Sequence, residues 1–483
     1  MKKFFCLITV LALLLVSAGT SCRRQKVNNA APNILFIFAD DQSYTGLGSN
    51  GNKEIFTPNL DRLSESGITF THAYNMGAWH GAVCVASRAM LNTGMYLWEA
   101  RELSDLNYSG FVEERKMWSQ ILSDKGYDTY MTGKWHVRIP ADSVFMLTGH
   151  VRGGMPGTVE EAYNRPLSEN DTVWLPWDKK RGGYWEGGKH WSEIVADEAI
   201  GFLDSALRRN KPFFMYIAFN APHDPRQSPE EFVKMYPVRN ISLPPSFIKE
   251  YPYKDQIGCP ATLRDERLAP FPRTPYSVKV HIREYNAIIS HMDEQIGRII
   301  KQLKKTGNDK NTYILFSADH GLGCGRHGLM GKQNMYDHSI RVPLIIAGPD
   351  IPANERIDIQ VYLQDLMATS LDIAGIDKPE YVDFNSLLPY IENPSSAGPY
   401  KAIYGAYMNL QRMIRTDRYK LIFYPEADVY RLYDILNDPE ELFDIAGSPG
   451  NMTIIRDLSA LFRKQQQIMN DTLDMTRFFP ELF

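Results

Sequence analysis

The chain has 483 residues, 44% of them hydrophobic and 12% aromatic, enough to bury a large core and too many for a disordered chain. The formal net charge is -4, and no run of lysine or arginine is long enough to grip a phosphate backbone, which excludes nucleic acid as an expected partner. Five cysteines are present; with Cys6 and Cys22 assigned to an N-terminal signal, the odd trio Cys84, Cys259 and Cys324 excludes a disulfide framework.

Residues 1–22, "MKKFFCLITVLALLLVSAGTSC", combine two lysines, an apolar stretch from Phe4 to Val16 and small residues ending at Cys22. The stretch is shorter than the roughly 20 residues of a spanning helix and reads as a secretory signal. Small residues before a cysteine resemble a bacterial lipoprotein site, with Cys22 lipidated. The expected location is therefore the periplasm, with membrane anchoring through lipid only; soluble secretion is the alternative.

"NILFIFADD" (33–41) is an apolar run ending in two carboxylates, the form of a buried parallel strand that opens into a functional loop. "TPNLDRLSESG" (57–67) carries the start and stop signals of a short helix. Further alternation follows: a helix in "MWSQILSDKG", a strand in "YDTYMTGKWH", a helix over 191–208 and a buried strand in "PFFMYIAFNAPH". Ile282, Tyr285, Ile289, Met292, Ile296 and Ile300 recur at helical spacing, and the strand "TYILFSADHG" comes next. Between 224 and 276 prolines and aromatics multiply without a period, as in a long excursion covering a site. Residues 396–483 shift to short strand-like runs and a final helix over 452–468.

This order predicts an α/β fold with a large, mostly parallel sheet between helices, as a catalytic domain over 32–395, and a smaller C-terminal α+β subdomain over 396–483. Asp40, Asp41, His136, His223, Asp319 and His320 all fall just after predicted strands, so one edge of the sheet should gather them. Two adjacent aspartates and a distant third suit a hard divalent cation. "GCGRHG" (323–328) fits a dinucleotide-binding pattern, but no helical apolar stripe follows it.

"CVASR" (84–88) followed by "LNTG" resembles the signature of the type I sulfatases, which have the alkaline-phosphatase-like fold and oxidise this cysteine to formylglycine. "ADD", "TGKWH", "APH", "ADHG", "MGK" and "RLYDILNDPEEL" complete the resemblance in order. It implies a sulfuric ester hydrolase in which Asp40, Asp41, Asp319 and His320 hold one divalent metal, most often Ca2+, that also meets the modified residue at 84. It makes Cys84 the precursor of the nucleophile, Arg88 the group that orients it, Asp319 its base and His136 a contact to the hydrated aldehyde. Lys134, His223 and Lys332 become sulfate contacts, with His223 the first choice as general acid. His320 departs from the asparagine of many relatives. His80 and His327 flank the motifs and are expected to read substrate.

The chemistry supports the same logic. A hydrated aldehyde attacks sulfur through one oxygen and expels sulfate through the other, avoiding the stable ester a serine would leave. The expected substrate is a sulfated oligosaccharide, a glycosaminoglycan fragment cut at a uronic acid 2-O-sulfate ahead of a 6-O-sulfate on an amino sugar. A cytoplasmic sulfatase-maturing enzyme is the implied partner. The alternatives are a phosphonate or phosphate monoester hydrolase on the same fold, or a glycan-binding lipoprotein whose Cys84 stays unmodified.

Overall fold

The computed structural model describes residues 31–483; the expected signal over residues 1–22, with Cys22, lies outside the described residues. From Pro32 to Phe483 the chain is one compact unit. Its strands, in chain order, are Asn33–Ala39 (β1), Ile68–Tyr74 (β2), Gly77–Ala78 (β3), Asp128–Lys134 (β4), Leu147–Arg152 (β5) and Phe213–Ala218 (β6). Thr312–Ala318 (β7), Arg341–Val342 (β8), Leu344–Ala347 (β9) and Glu355–Tyr362 (β10) follow. Ile403–Tyr407 (β11), Gln411–Arg415 (β12), Tyr419–Tyr424 (β13) and Val429–Asp434 (β14) are the last.

The large sheet runs β10-β2-β9-β7-β1-β6-β4-β5, with β8 beside β2. β1 lies parallel to both β6 and β7, and β4 parallel to β6 and β5. Every residue of β1, β4 and β6 is buried, so both faces of the sheet centre are covered; β1 and β6 read as continuous apolar runs for that reason, whereas β4 also buries Asp128, Thr129, Thr132 and Lys134. "RVPLIIAG" enters the sheet as β8 and β9, which run antiparallel to their neighbours. The sheet is thus mostly parallel, as the alternation predicts.

The helices predicted from spacing are found at Pro58–Glu65, Trp118–Asp124, Trp191–Arg209, Pro275–Lys305 and Met452–Ile468. The longest, Pro275–Lys305, starts at a reciprocal cap: Ser277 N–H donates to Thr274 Oγ1 (3.1 Å) and Thr274 N–H to Ser277 Oγ (3.3 Å). Its apolar stripe packs on the helix Trp191–Arg209.

The second sheet runs β14-β13-β12-β11-β3. Four of its strands come from the C-terminal region, but β3 comes from just before the Cys84 motif and pairs parallel with β11. Gly77 makes that approach possible: its φ is 104°, and a Cβ there would stand 1.9 Å from the Ala406 carbonyl oxygen. The C-terminal sheet is thereby fixed to the segment that leads into the site.

Candidate active site

The adjacent strands β7, β1, β6 and β4 end on one edge, and each delivers chemistry there. β1 hands over to Asp40 and Asp41. In an extended chain these carboxylates would face opposite ways. Asp41 instead has φ 70°, a left-handed turn, and the two carboxylates converge on one cluster. β7 delivers Asp319, whose N–H donates to Ala39 O (3.1 Å), and the turn after β6 delivers His223. β4 carries Lys134 after an irregularity in register at Gly133, where φ is 92° and a Cβ would lie 1.7 Å from Ala218 O.

Facing this edge is the helix Val83–Thr93, all of whose residues are buried. No side chain caps its N-terminus; Val83 N–H and Val85 N–H donate instead to the backbone, to Gly81 O (3.2 Å) and Ala82 O (3.1 Å). Arg88, one turn on, is wholly buried. Its Nε donates to Asp319 Oδ2 (2.9 Å), and a terminal nitrogen donates to Lys134 O (2.6 Å). Asp319 Oδ1 accepts from Asp41 N–H (3.0 Å). Burial pushes the Asp319 carboxyl up, but Arg88, Lys134 and Lys332 outweigh it and hold it below the usual carboxylate range.

Two ammonium groups sit on the aspartate pair. Lys332 Nζ is 2.7 Å from both oxygens of Asp41 and 3.1 Å from Cys84 Sγ. Lys134 Nζ pairs with Asp40. Burial nevertheless raises both aspartates, Asp41 to about 6, against Lys332 and Lys134. The Cys84 thiol is 2% exposed and is pushed up to about 12 by burial, against Lys134 and Lys332.

Among the described residues, Asp40, Asp41, Cys84 and His223 present ligand atoms within 4.8 Å of one another. Asp319 and His320, expected on the metal, are not in that group: Asp319 is turned to Arg88 and the Asp41 amide, and His223 stands in the gathered set instead. His320 is buried beside it, with Nδ1 on Gly321 O (3.2 Å) and Nε2 without a partner. Burial and Lys332 lower it to about 3, so it is neutral and able to ligate. The unpaired Asp40 Oδ1 and His320 Nε2, together with carboxylates raised by burial, are what a divalent cation would satisfy. The donor set fits one.

His136, also in a left-handed conformation at φ 55°, has an unpartnered buried Nδ1 and is held neutral by burial and by Lys134 and Arg88. His80 is half-buried and turned back on its own loop, its Nδ1 accepting from Ala82 N–H (3.0 Å). His327 requires a correction. Its ring stacks on Tyr336 at 3.9 Å and its Nε2 pairs with Glu441 O (2.9 Å), so it is a packing histidine that ties the loop to the C-terminal region rather than a substrate contact.

Four polar residues at the rim have no counterpart in the sequence reading. Asp224 faces the His223 ring, and Arg264 pairs with Asp265, which also accepts from Gln333 Nε2 (2.7 Å). All but Gln333 lie in the aperiodic stretch after β6. The one available signal was the acid directly after the histidine in "APHD".

A mostly parallel α/β sheet with a buried Asp-Asp, Lys-Lys, Arg and cysteine cluster at its carboxyl edge is a site for cleaving an anionic ester. The chain matches the family described as Sulfatase over residues 32–376 and the family described as N-sulphoglucosamine sulphohydrolase, C-terminal, over residues 325–468. It belongs to the sulfatase family and is a sulfuric ester hydrolase with the alkaline-phosphatase-like fold. An N-acetylglucosamine-6-O-sulfatase of Bacteroides thetaiotaomicron is 28% identical, over 96% of this chain and 91% of its own. An ulvan-active sulfatase of Formosa agariphila is 26% identical, over 96% and 88%. A solved structure of a protein in complex with its substrate D-glucosamine-2-N,6-O-disulfate superposes with a TM-score of 0.72 at 25% identity, covering 92% of this chain and 99% of that one.

Proposed function

We propose that the protein removes a sulfate ester from a sulfated carbohydrate of the glycosaminoglycan type, and that a 6-O-sulfated glucosamine is its preferred unit. The relative and the substrate complex above support the 6-position, which moves it ahead of the uronic acid 2-O-sulfate expected from the sequence. The observation that carries the reaction is Lys332 Nζ, shared between Asp41 and Cys84 Sγ, with Lys134 on Asp40 beside it. Two buried ammonium groups at the reactive position form a floor for an anion whose oxygens gain charge as the ester breaks.

A thiol pushed up to about 12 is a poor source of thiolate, so Cys84 suits the role of precursor better than that of nucleophile. Converted to formylglycine, position 84 supplies a hydrated aldehyde as the oxygen nucleophile. Asp40 and Asp41, with His320 Nε2 at hand, would hold a divalent cation, with calcium the first expectation, which would supply charge neutralisation to the sulfate. Arg88 holds the ionised Asp319 against the nucleophile's helix, where it can take a proton. His223 Nε2 faces the same space and protonates the leaving sugar oxygen. Export to the periplasm, from the signal and Cys22, fits a substrate met outside the cytoplasm.

Sulfate release from defined disaccharides tests the substrate, and the mass of the peptide carrying residue 84 tests the nucleophile. Release from 6-O-sulfated N-acetylglucosamine and not from 2-O-sulfated uronates is expected. The reverse pattern overturns the 6-position, and hydrolysis of phosphonate monoesters alone overturns the carbohydrate reading. A free thiol at 84 in fully active protein overturns formylglycine.

A further inference from the structure

We infer that Asp224 is a positioning residue for His223: it locks the imidazole with a hydrogen on Nδ1 and so keeps Nε2 directed at the leaving oxygen. The inference rests on the reading of His223 as the proton donor. His223 Nδ1 lies 2.9 Å from the Asp224 carbonyl oxygen and 3.0 Å from its Oδ1. Both are acceptors, so Nδ1 must donate, and the tautomer follows from the partners. On the other side of the ring, Nε2 lies 3.5 Å from Asp41 Oδ2, the carboxylate next to Cys84. Arg264 also reaches this edge, with a terminal nitrogen 3.4 Å from Nε2, but its stronger partner is Asp265 at 2.5 Å.

Asp224 is itself held. Tyr163 Oη donates to its Oδ2 at 2.5 Å, and Arg264 Nε stands 3.6 Å from the same oxygen. The backbone is fixed too: His223 N–H donates to Asn220 O (3.1 Å), and Tyr184 Oη donates to Asn220 O (2.5 Å) with His223 O 3.2 Å from the same hydroxyl. Both His223 and Asp224 are buried, so no water competes freely for Nδ1.

The ring enters the step with a hydrogen on each nitrogen. As the hydrate oxygen at position 84 bonds to sulfur, the bond between sulfur and the bridging oxygen breaks, and that oxygen keeps the bonding pair and takes the proton from Nε2. The ring is left neutral with its hydrogen still on Nδ1 and donated to Asp224, and a proton from solvent restores Nε2 after the alcohol leaves. Asp224 exchanges no proton. Its contribution is orientation, as for the carboxylate behind the histidine of a hydrolase triad.

Two measurements on the full-length enzyme test this. The first is the ratio of kcat on the sugar sulfate to kcat on 4-nitrophenyl sulfate, whose phenoxide leaves without a proton. His223→Ala should lower the sugar rate by about 10²-fold or more, the usual size of general acid catalysis, and the aryl rate much less. Asp224→Ala should follow the same selective pattern, and Tyr163→Phe should follow it at about 5-fold, the worth of one ordinary hydrogen bond. The second is the 15N shift pattern of labelled histidine, with the His223 signals assigned by their loss in His223→Ala. At a pH where the ring is neutral, the parent should show hydrogen on Nδ1, and Asp224→Ala, which loses Oδ1 but keeps the backbone carbonyl, should show a measurable share of the tautomer with hydrogen on Nε2. Equal losses on both esters, or an unchanged tautomer in Asp224→Ala, overturn the inference. Where Asp224→Ala does not fold, Tyr163→Phe decides by the same ratio. A His223→Ala variant with no leaving-group selectivity overturns the proton-donor reading instead, and the tautomer result keeps the two failures apart.

Discussion

Glu266 is a buried acid outside the reaction whose loss should be felt at the site. Its carboxylate pairs with Arg273 at 2.5 Å, both side chains being fully buried, and accepts from the backbone N–H of Met330 (3.1 Å) and Gly331 (2.9 Å). Those amides immediately precede Lys332. Glu266→Gln keeps an oxygen for the amides but removes the charge that answers Arg273, which cannot give up its proton. Breaking a buried pair by deleting one partner costs about 3–5 kcal/mol. The lower end applies here, because Arg273 retains the carbonyls of Glu266 (2.8 Å) and Gly328 (3.2 Å) and the face of Phe271 at 3.5 Å. With an unfolding entropy of roughly 2.1 cal/mol/K per residue and 483 residues, each kcal/mol moves Tm by about 1 °C. Differential scanning calorimetry should therefore show Glu266→Gln melting about 3 °C lower, with turnover close to that of the parent. Glu266→Ala, which also frees the Met330 and Gly331 amides, should melt lower still and raise KM as Lys332 loses its support. A Tm for Glu266→Gln within about 1 °C of the parent would refute the claim that this pair sustains the loop.

Further outcomes are expected. Cys84→Ala should abolish sulfate release while circular dichroism stays unchanged; substantial residual turnover would exclude position 84 as the nucleophile. Lys332→Ala should lower kcat by about 10²–10³-fold, the cost of one preorganised charge at a reacting oxyanion, read in steady-state assays. Asp365, buried and raised from 3.8 to about 7, keeps its proton in the folded state where the unfolded chain has lost it. The stability it contributes therefore falls as pH rises through that window and stays low above it. Urea melts should accordingly show the stability difference between parent and Asp365→Asn shifting in favour of the variant between about pH 4 and 7 and levelling off beyond. Cys22→Ala should move the expressed protein from the detergent phase to the aqueous phase on Triton X-114 partition; an unchanged partition would exclude lipid on Cys22.

What the order of residues determined by itself was local. Apolar runs that stop at a carboxylate or histidine mark strands ending at a site, because a strand buried on both faces is filled mainly by apolar side chains until it leaves the sheet. The helices over 191–208 and 282–300 declare themselves through spacing, and the cysteine signature with its distant companions names the chemistry. Tertiary structure decided what those local signals could not carry. The strand order β7-β1-β6-β4 places Asp319, Asp41, His223 and Lys134 around one point. The left-handed turn at Asp41 makes two diverging carboxylates converge. Whether Asp319 faces a cation or Arg88 depends on a partner 231 positions away, and the tally of ionic partners exists only once the chain is folded. For the same reason His327 resembled a substrate contact while serving as a stacked packing residue, and Asp224, Tyr163 and Glu266 gave little sign of their roles. They lie outside the long periodic helices and strands, and their functions come entirely from what they touch.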